Sequence, residues 1–311
     1  MAIVNTGIPI TAESSDRMIL ELAKKYPFLR TEEVGQSFFG RPIRALIIGN
    51  GERKVIYSAA HHANEWITAL VLLKFAEDLA EAIQNNARIY GILAKNIASA
   101  ATIYLIPMVN PDGVNLVVGA SPQGSLPYDT ARALADNYPD IPFPSGWKAN
   151  INGVDLNLQY PAGWLLAREI KFLQGFTRPG PRDYVGRFPL SQPESRALAD
   201  FTQRLDPTLV LAYHSQGEVI YWQFRDYHVP GAEALAKEFA RLSGYALEDT
   251  PYESSFAGYK DWFIQQFRRP GFTIEVGQGE NPLPLDQFNK IYADNLGILT
   301  TAALGLPAGK H

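Results

Sequence analysis

The run HHANEW sets two of the chain's five histidines side by side, His61 and His62, with Glu65 three residues after the second. Imidazole nitrogens and a carboxylate, with one position left for water, compose a catalytic zinc site. His62 and Glu65, at a strand-to-helix turn, are close enough in sequence to share one ion, and His214 in AYHSQG supplies a third ligand. Such an ion lowers the pKa of its water to roughly 7 and polarises a carbonyl. A free carboxylate then takes the proton, and Glu275 in FTIEVG is the candidate.

Each piece has a plainer explanation when taken alone. His/Glu pairs at this spacing are usually solvated helix neighbours. A lone histidine or buried carboxylate is more often a satisfied structural group than a catalytic one. Their joint placement at the ends of strands is what favours a metal site. His61 is expected to point to the other face, and His228 and His311 to be solvated.

The elements that must hold these residues are short apolar runs: RALIIG (44 to 49), KVIYSAA (54 to 60), ATIYLIPMVN (101 to 110), PTLVLAYHS (207 to 215) and GFTIEVG (271 to 277). Rich in Val, Ile and Tyr and separated by amphipathic stretches such as WITALVLLKFAEDLAEAI, they read as buried strands of a mostly parallel or mixed sheet. The class is α/β. His61 and His62, Asn110 and Asp112, His214, and Glu275 each lie at the carboxyl end of a different strand, the edge at which open α/β sheets bind ligands. SQPESRALADF predicts a helix capped by Ser191, and GAEALAKEFARLSGY a helix closing at Gly244.

Two Pro-, Gly- and aromatic-rich stretches, 120 to 150 and 161 to 190, exceed ordinary loop lengths and read as packed, functional loops. No repeat or charged linker divides the 311 residues, so one catalytic domain is expected over the whole chain. A composition 46% hydrophobic allows a large core, and a charge of -4 without a basic stripe excludes a nucleic-acid partner. Neither a membrane span nor an export signal is visible, which predicts a cytoplasmic enzyme, released by lysis at most. The absence of cysteine excludes disulfides and thiolate zinc sites. HExxH, GxSxG, GxxxxGK and GxGxxG are all missing, which disfavours serine and nucleotide enzymes.

In order, HHANEW, MVNPDG (108 to 113), GVDLN (153 to 157), His214 in AYHSQG and FTIEVG resemble the motif series of the zinc carboxypeptidase A-like peptidases, from about residue 39 to Glu275. The resemblance implies a mixed eight-stranded sheet between helices, Zn2+ held by His62, Glu65 and His214, and Glu275 as the base that activates water. Several positions depart from it. Where the family has the Asn-Arg pair that grips a substrate's terminal carboxylate, this chain has Asn157 and Leu158, and leucine offers no charged fork. Asn64 stands where the family often has arginine. Lys148 is the only cation between Ala133 and Ala167, so the electrophilic role of the family's oxyanion arginine falls to it, unless it is an ordinary exposed lysine. Tyr252 matches the family's active-site tyrosine, with Tyr259 as the alternative. Lys260 matches the residue that sets the side-chain pocket, where a cation favours a carboxylate-bearing group, or else it is a salt-bridged structural residue.

Loss of the terminal clamp together with a basic pocket resembles the bacterial γ-D-glutamyl-L-diamino-acid endopeptidases. That branch cuts peptidoglycan stem peptides before meso-diaminopimelate or lysine. The resemblance implies a stem-peptide substrate held by its charged side groups and no protein partner. A metallocarboxypeptidase of unusual specificity and a silent wall-peptide binder are the other readings.

Overall fold

The computed structural model describes residues 2–306, so the expectation for His311 lies outside the described residues. The strands are β1 (Arg30–Gln36), β2 (Pro42–Ile48), β3 (Arg53–Ala59), β4 (Arg88–Ile89), β5 (Ile92–Leu93), β6 (Ala101–Ile106), β7 (Leu209–His214), β8 (Val219–Tyr221), β9 (Ala246–Leu247) and β10 (Gly271–Glu275). Eight of them form one sheet in the order β1-β2-β6-β3-β7-β10-β8-β9, and β4 and β5 make a separate small hairpin.

At the centre, β6, β3, β7 and β10 run parallel to one another. On one flank β1 and β2 are antiparallel, and on the other β8 is antiparallel to β10 and parallel to β9. The parallel strands are mostly apolar along their middles because both their faces are covered. Val55 and Tyr57 of β3, with Leu209 and Leu211 of β7, pack on one face beneath the helices Ile67–Gln84 and Phe288–Leu304. Ile56, Val210 and Ala212 pack on the other, against Leu198 and Phe201 of the helix Pro193–Leu205 and Trp262 of the helix Tyr259–Phe267. Each such large apolar side chain contributes about 1.5–3 kcal/mol on full burial. Parallel alignment also sends the carboxyl ends of four core strands to one edge.

The five strand expectations and the α/β class agree with this architecture, and Gly244 closes the helix Ala232–Ser243 at φ 79°. Two local expectations are corrected. Ser191 is not the N-cap of the helix beginning at Pro193, since that position belongs to Gln192. The Ser191 hydroxyl instead donates to Gln159 Oε1 at 2.9 Å, a tertiary partner that no local pattern reveals. The two long stretches are also less irregular than expected, for they carry the helices Leu126–Ala135 and Trp164–Leu173. They are fastened together where the N–H groups of Lys148 and Ala149 both donate to the Pro181 carbonyl, at 2.8 and 2.9 Å. Among the described residues no helix is long and apolar enough to cross a membrane.

Candidate active site

Strand β3 ends at Ala59, and Ala60 takes a left-handed φ of 50°, which L-residues with a Cβ adopt at a cost. The turn is held from both sides: the Ala60 N–H donates to Thr68 Oγ1 at 3.1 Å and its carbonyl accepts from the Asn110 N–H at 3.0 Å. Beyond it the two histidines diverge. His61 is buried, places Nε2 3.2 Å from the Tyr160 hydroxyl and stacks on the ring of His214. His62 turns toward the cleft, followed by the single helical turn Ala63–Glu65 that brings Glu65 to the same point.

His214 arrives from the end of β7. Its Nδ1 lies 2.9 Å from Glu65 Oε2, while His62 Nδ1 lies 2.8 Å from Glu65 Oε1. The two Nδ1 atoms stand 3.2 Å apart. One donor atom from each of these three residues falls within 4.8 Å of the others, so they could hold a metal ion. The donor set fits zinc, since two facing imidazole nitrogens beside a carboxylate need a shared cation or proton to be satisfied together. On its far side His62 Nε2 lies 3.1 Å from Asp155 Oδ1, which fixes that nitrogen as the protonated one and leaves the Nδ1 lone pair facing the cleft. Burial disfavours the charged form of His62, but the carboxylates of Glu65 and Asp155 outweigh it and raise the pKa to about 9, so an incoming cation takes the place of the Nδ1 proton.

Glu275 ends β10 and is register partner to His214. It shares with His62 and Glu65 a cavity of about 460 Å³. Burial, reinforced by the charge of Glu65, holds its carboxyl above the ordinary carboxylate range, while Lys148 and His62 pull it back. Lys148 lines the same cavity with Nζ 3.2 Å from Glu65 Oε1. Burial works against its charge, but Glu65 more than compensates, so its pKa rises. Asn64, the departure from arginine, also lines this cavity, with its side-chain N–H donating to the Ser145 carbonyl at 3.2 Å.

Asn110 and Asp112 do not end a strand, since β6 stops at Ile106: Asn110 caps the helix Pro111–Val117 and braces the site from outside, while Asp112 accepts from the Phe39 N–H and Arg41. Asn110 Nδ2 donates to the carbonyls of His61 and Ala149, at 3.1 and 3.0 Å, tying the histidine turn to the Lys148 loop. Gly113 lies where these segments meet, and a Cβ there would come within 2.7 Å of the Ala149 carbonyl oxygen and 2.8 Å of Ala63 Cβ. That is closer than real contacts allow, so the close approach requires glycine.

Other expected site residues are not brought to the cavity wall. Tyr252 stands 63% exposed in the turn Tyr252–Ser254, its ring edge against Phe256. Tyr259 is fully buried, its hydroxyl 2.8 Å from Thr202 Oγ1, which makes it a core residue. Asn157 is used to tie backbone segments: its N–H donates to Asp155 Oδ1 and its Oδ1 accepts from the Tyr259 N–H. Leu158 is 7% exposed and part of the apolar core. Lys260 is buried with Nζ 2.6 Å from both the Gln223 carbonyl and Asp261 Oδ1, so its charge is spent inside the protein rather than facing the cavity. Two residues without an assigned role in the sequence reading do belong here. Asp155 was visible within GVDLN, but its bond to His62 was not. Arg182 lines the cavity from the second long stretch, where only the length of the loop gave a hint.

Comparison with known proteins agrees with this geometry. The zinc carboxypeptidase family pattern matches residues 16–297. The chain is similar to gamma-D-glutamyl-L-diamino acid endopeptidase 1 of Lysinibacillus sphaericus, with 46% identity over 280 residues, 90% of this chain and 68% of that protein. It is also similar to the uncharacterized protein YqgT of Bacillus subtilis (strain 168), with 38% identity over 92% of this chain and 75% of that one. Its fold is similar to the crystal structure of carboxypeptidase A from Helicoverpa armigera, with a TM-score of 0.72 at 19% identity over 99% of this chain and 76% of that one. With the motif series, the sheet and the His62, Glu65 and His214 cluster all in place, the chain belongs to the zinc carboxypeptidase family and is a zinc metallopeptidase.

Proposed function

We propose that this protein is one catalytic unit that hydrolyses the bond between γ-D-glutamate and the diamino acid, meso-diaminopimelate or lysine, of peptidoglycan stem peptides. The observation that carries this reading is the replacement of the terminal-carboxylate clamp by Leu158, packed in the core, beside an otherwise complete set of hydrolytic groups. At that position leucine offers no charged fork to grip a chain terminus. The similarity to the Lysinibacillus endopeptidase supports the same substrate.

His62, Glu65 and His214 would hold zinc, which when bound activates a water and polarises the scissile carbonyl. Glu275 takes the proton of the attacking water and delivers it to the departing amine. Its raised pKa suits both transfers near neutrality. Lys148 faces the carbonyl oxygen as negative charge develops there; it is held beside Glu65 before substrate arrives, so little reorganisation is needed. Asp155 keeps His62 in its ligating tautomer.

The test is incubation of zinc-loaded protein with L-Ala-γ-D-Glu-meso-diaminopimelate, its C-terminally extended form and its C-terminal amide, with products read by mass spectrometry. Cleavage after γ-D-glutamate in all three is expected. Trimming only at free C-termini would make the protein a carboxypeptidase, and tight binding without turnover would make it a wall-peptide binder.

A further inference from the structure

Among the described residues only two lysines or arginines line the cavity, Lys148 and Arg182. Lys148 is already engaged by Glu65. Arg182 is held differently: its Nε donates to Asp183 Oδ2 at 2.6 Å, and among the described residues its two terminal nitrogens make no hydrogen bond. The edge of the guanidinium formed by those two nitrogens is the one that receives a carboxylate end-on through two parallel bonds. The side chain remains 42% exposed, so an incoming group can reach it.

The backbone around Arg182 is fixed on both sides. Pro181 accepts the N–H groups of Lys148 and Ala149, and the Tyr184 carbonyl accepts that of Asp155 at 2.9 Å. Asp183 adopts a left-handed φ of 65° between them. Its Oδ1 is bound by the buried Lys171 at 2.7 Å, so the carboxylate that aims Arg182 is itself anchored. A strained residue, a buried ion pair and three backbone bonds are more than an ordinary surface arginine receives.

We infer that Arg182 is a specificity-determining residue that binds the free α-carboxylate of the γ-linked D-glutamate, on the acyl side of the cleaved bond. The inference rests on the endopeptidase reading above. Arg182 lines the cavity together with Lys148, the group assigned to the carbonyl oxygen, and is assigned to that flank. On that flank the substrate is γ-D-glutamyl, whose α-carboxylate hangs from the scissile carbonyl by two methylenes and the α-carbon. An ordinary α-peptide carries no carboxylate at that position, so the same contact would select the γ-linkage.

The test compares kcat/KM for L-Ala-γ-D-Glu-meso-diaminopimelate with that for the peptide in which the D-glutamate α-carboxylate is an amide, and with that for the lysine analogue. Wild-type and the Arg182→Ala, Arg182→Lys and Arg182→Gln variants are measured, each checked for zinc content and cooperative unfolding. Wild-type is expected to prefer the carboxylate over the amide by roughly 10- to 100-fold, as a charge-assisted pair commands. Arg182→Ala should collapse that ratio toward one while leaving the diaminopimelate-to-lysine ratio as it was, and Arg182→Lys should restore part of it. An equal loss on both glutamyl forms, or a collapse of the diaminopimelate-to-lysine ratio instead, overturns the assignment. Wild-type that distinguishes neither glutamyl form overturns it as well. Wild-type that cleaves none of the three sinks the endopeptidase reading itself, and this assignment with it.

Discussion

Glu275 and His214 are partners across the parallel pair β10 and β7, Cα to Cα, at the last residue of each strand. Strand register therefore fixes the spacing between the proposed base and one metal ligand, independently of any loop. Glu275→Gln keeps the shape and removes the base. Hydrolysis should fall by roughly 10²–10⁴-fold, the usual contribution of a general base. Zinc content by atomic absorption should stay at the wild-type level, and chelation followed by zinc should restore wild-type activity but not that of the variant. Full activity in Glu275→Gln would move the base elsewhere.

Lys148 sets its Nζ 3.2 Å from Glu65 Oε1. Lys148→Met should lower kcat by roughly 10²–10³-fold, as loss of an oxyanion donor does. A transition-state analogue with a phosphinate in place of the scissile amide should lose affinity in parallel. A change confined to KM would instead make Lys148 a ground-state substrate contact.

Asp155 reaches the metal cluster through His62, and its carboxylate also accepts from the N–H groups of Asn157 at 3.0 Å and Asp183 at 3.4 Å. Asp155→Asn removes the charge that orients the imidazole. Zinc affinity measured by competition with a chromogenic chelator should drop about 10–100-fold. With saturating zinc much of the activity should return, an outcome that a purely structural residue would not give.

Glu194 predicts a pH dependence of stability. It is fully buried, accepting hydrogen bonds from the Phe38 N–H at 3.0 Å and from Asn150 Nδ2 at 3.1 Å. Burial, with the nearby charge of Asp112, raises its pKa to about 7 from the ordinary 4.5, despite those bonds. The folded protein then keeps a proton that the unfolded chain releases, so folding takes up a proton between the two values. Stability on this account is greatest below about pH 4.5 and falls as pH rises through about 7, by roughly 3 kcal/mol in all. Urea midpoints across this range should show the slope, and Glu194→Gln should flatten it. The slope is the readout, because the new amide would meet the Asn150 amide and shift the absolute midpoint.

Leu158 occupies the place where the family has its clamp, yet its side chain belongs to the apolar core. Leu158→Arg should therefore not create a carboxypeptidase. It should destabilise the fold by about 3–5 kcal/mol, the scale of an unpaired buried charge, seen as a lowered urea midpoint with no gain of activity on peptides with free C-termini.

The sequence by itself determined the parallel core and pointed to His62, Glu65 and His214 as one cluster that could hold a metal. Both are carried by local signals: apolar runs covered on two faces read as buried strands, and chemistry at their carboxyl ends must meet at one edge when the strands are parallel. What tertiary structure alone decided was the fate of side chains whose partners lie far away in the chain. Lys260 reads as a pocket cation until Gln223 and Asp261 are seen to hold it, and Tyr259 reads as the alternative active-site tyrosine until Thr202 claims its hydroxyl. Asp155 and Arg182 gain their places where the second long stretch folds back, its Pro181 carbonyl accepting from Lys148 and Ala149 and its Tyr184 carbonyl from Asp155. A charged side chain has many geometrically possible partners, and which one it finds is settled by how the loops pack. Spacing along the chain carries no record of that choice.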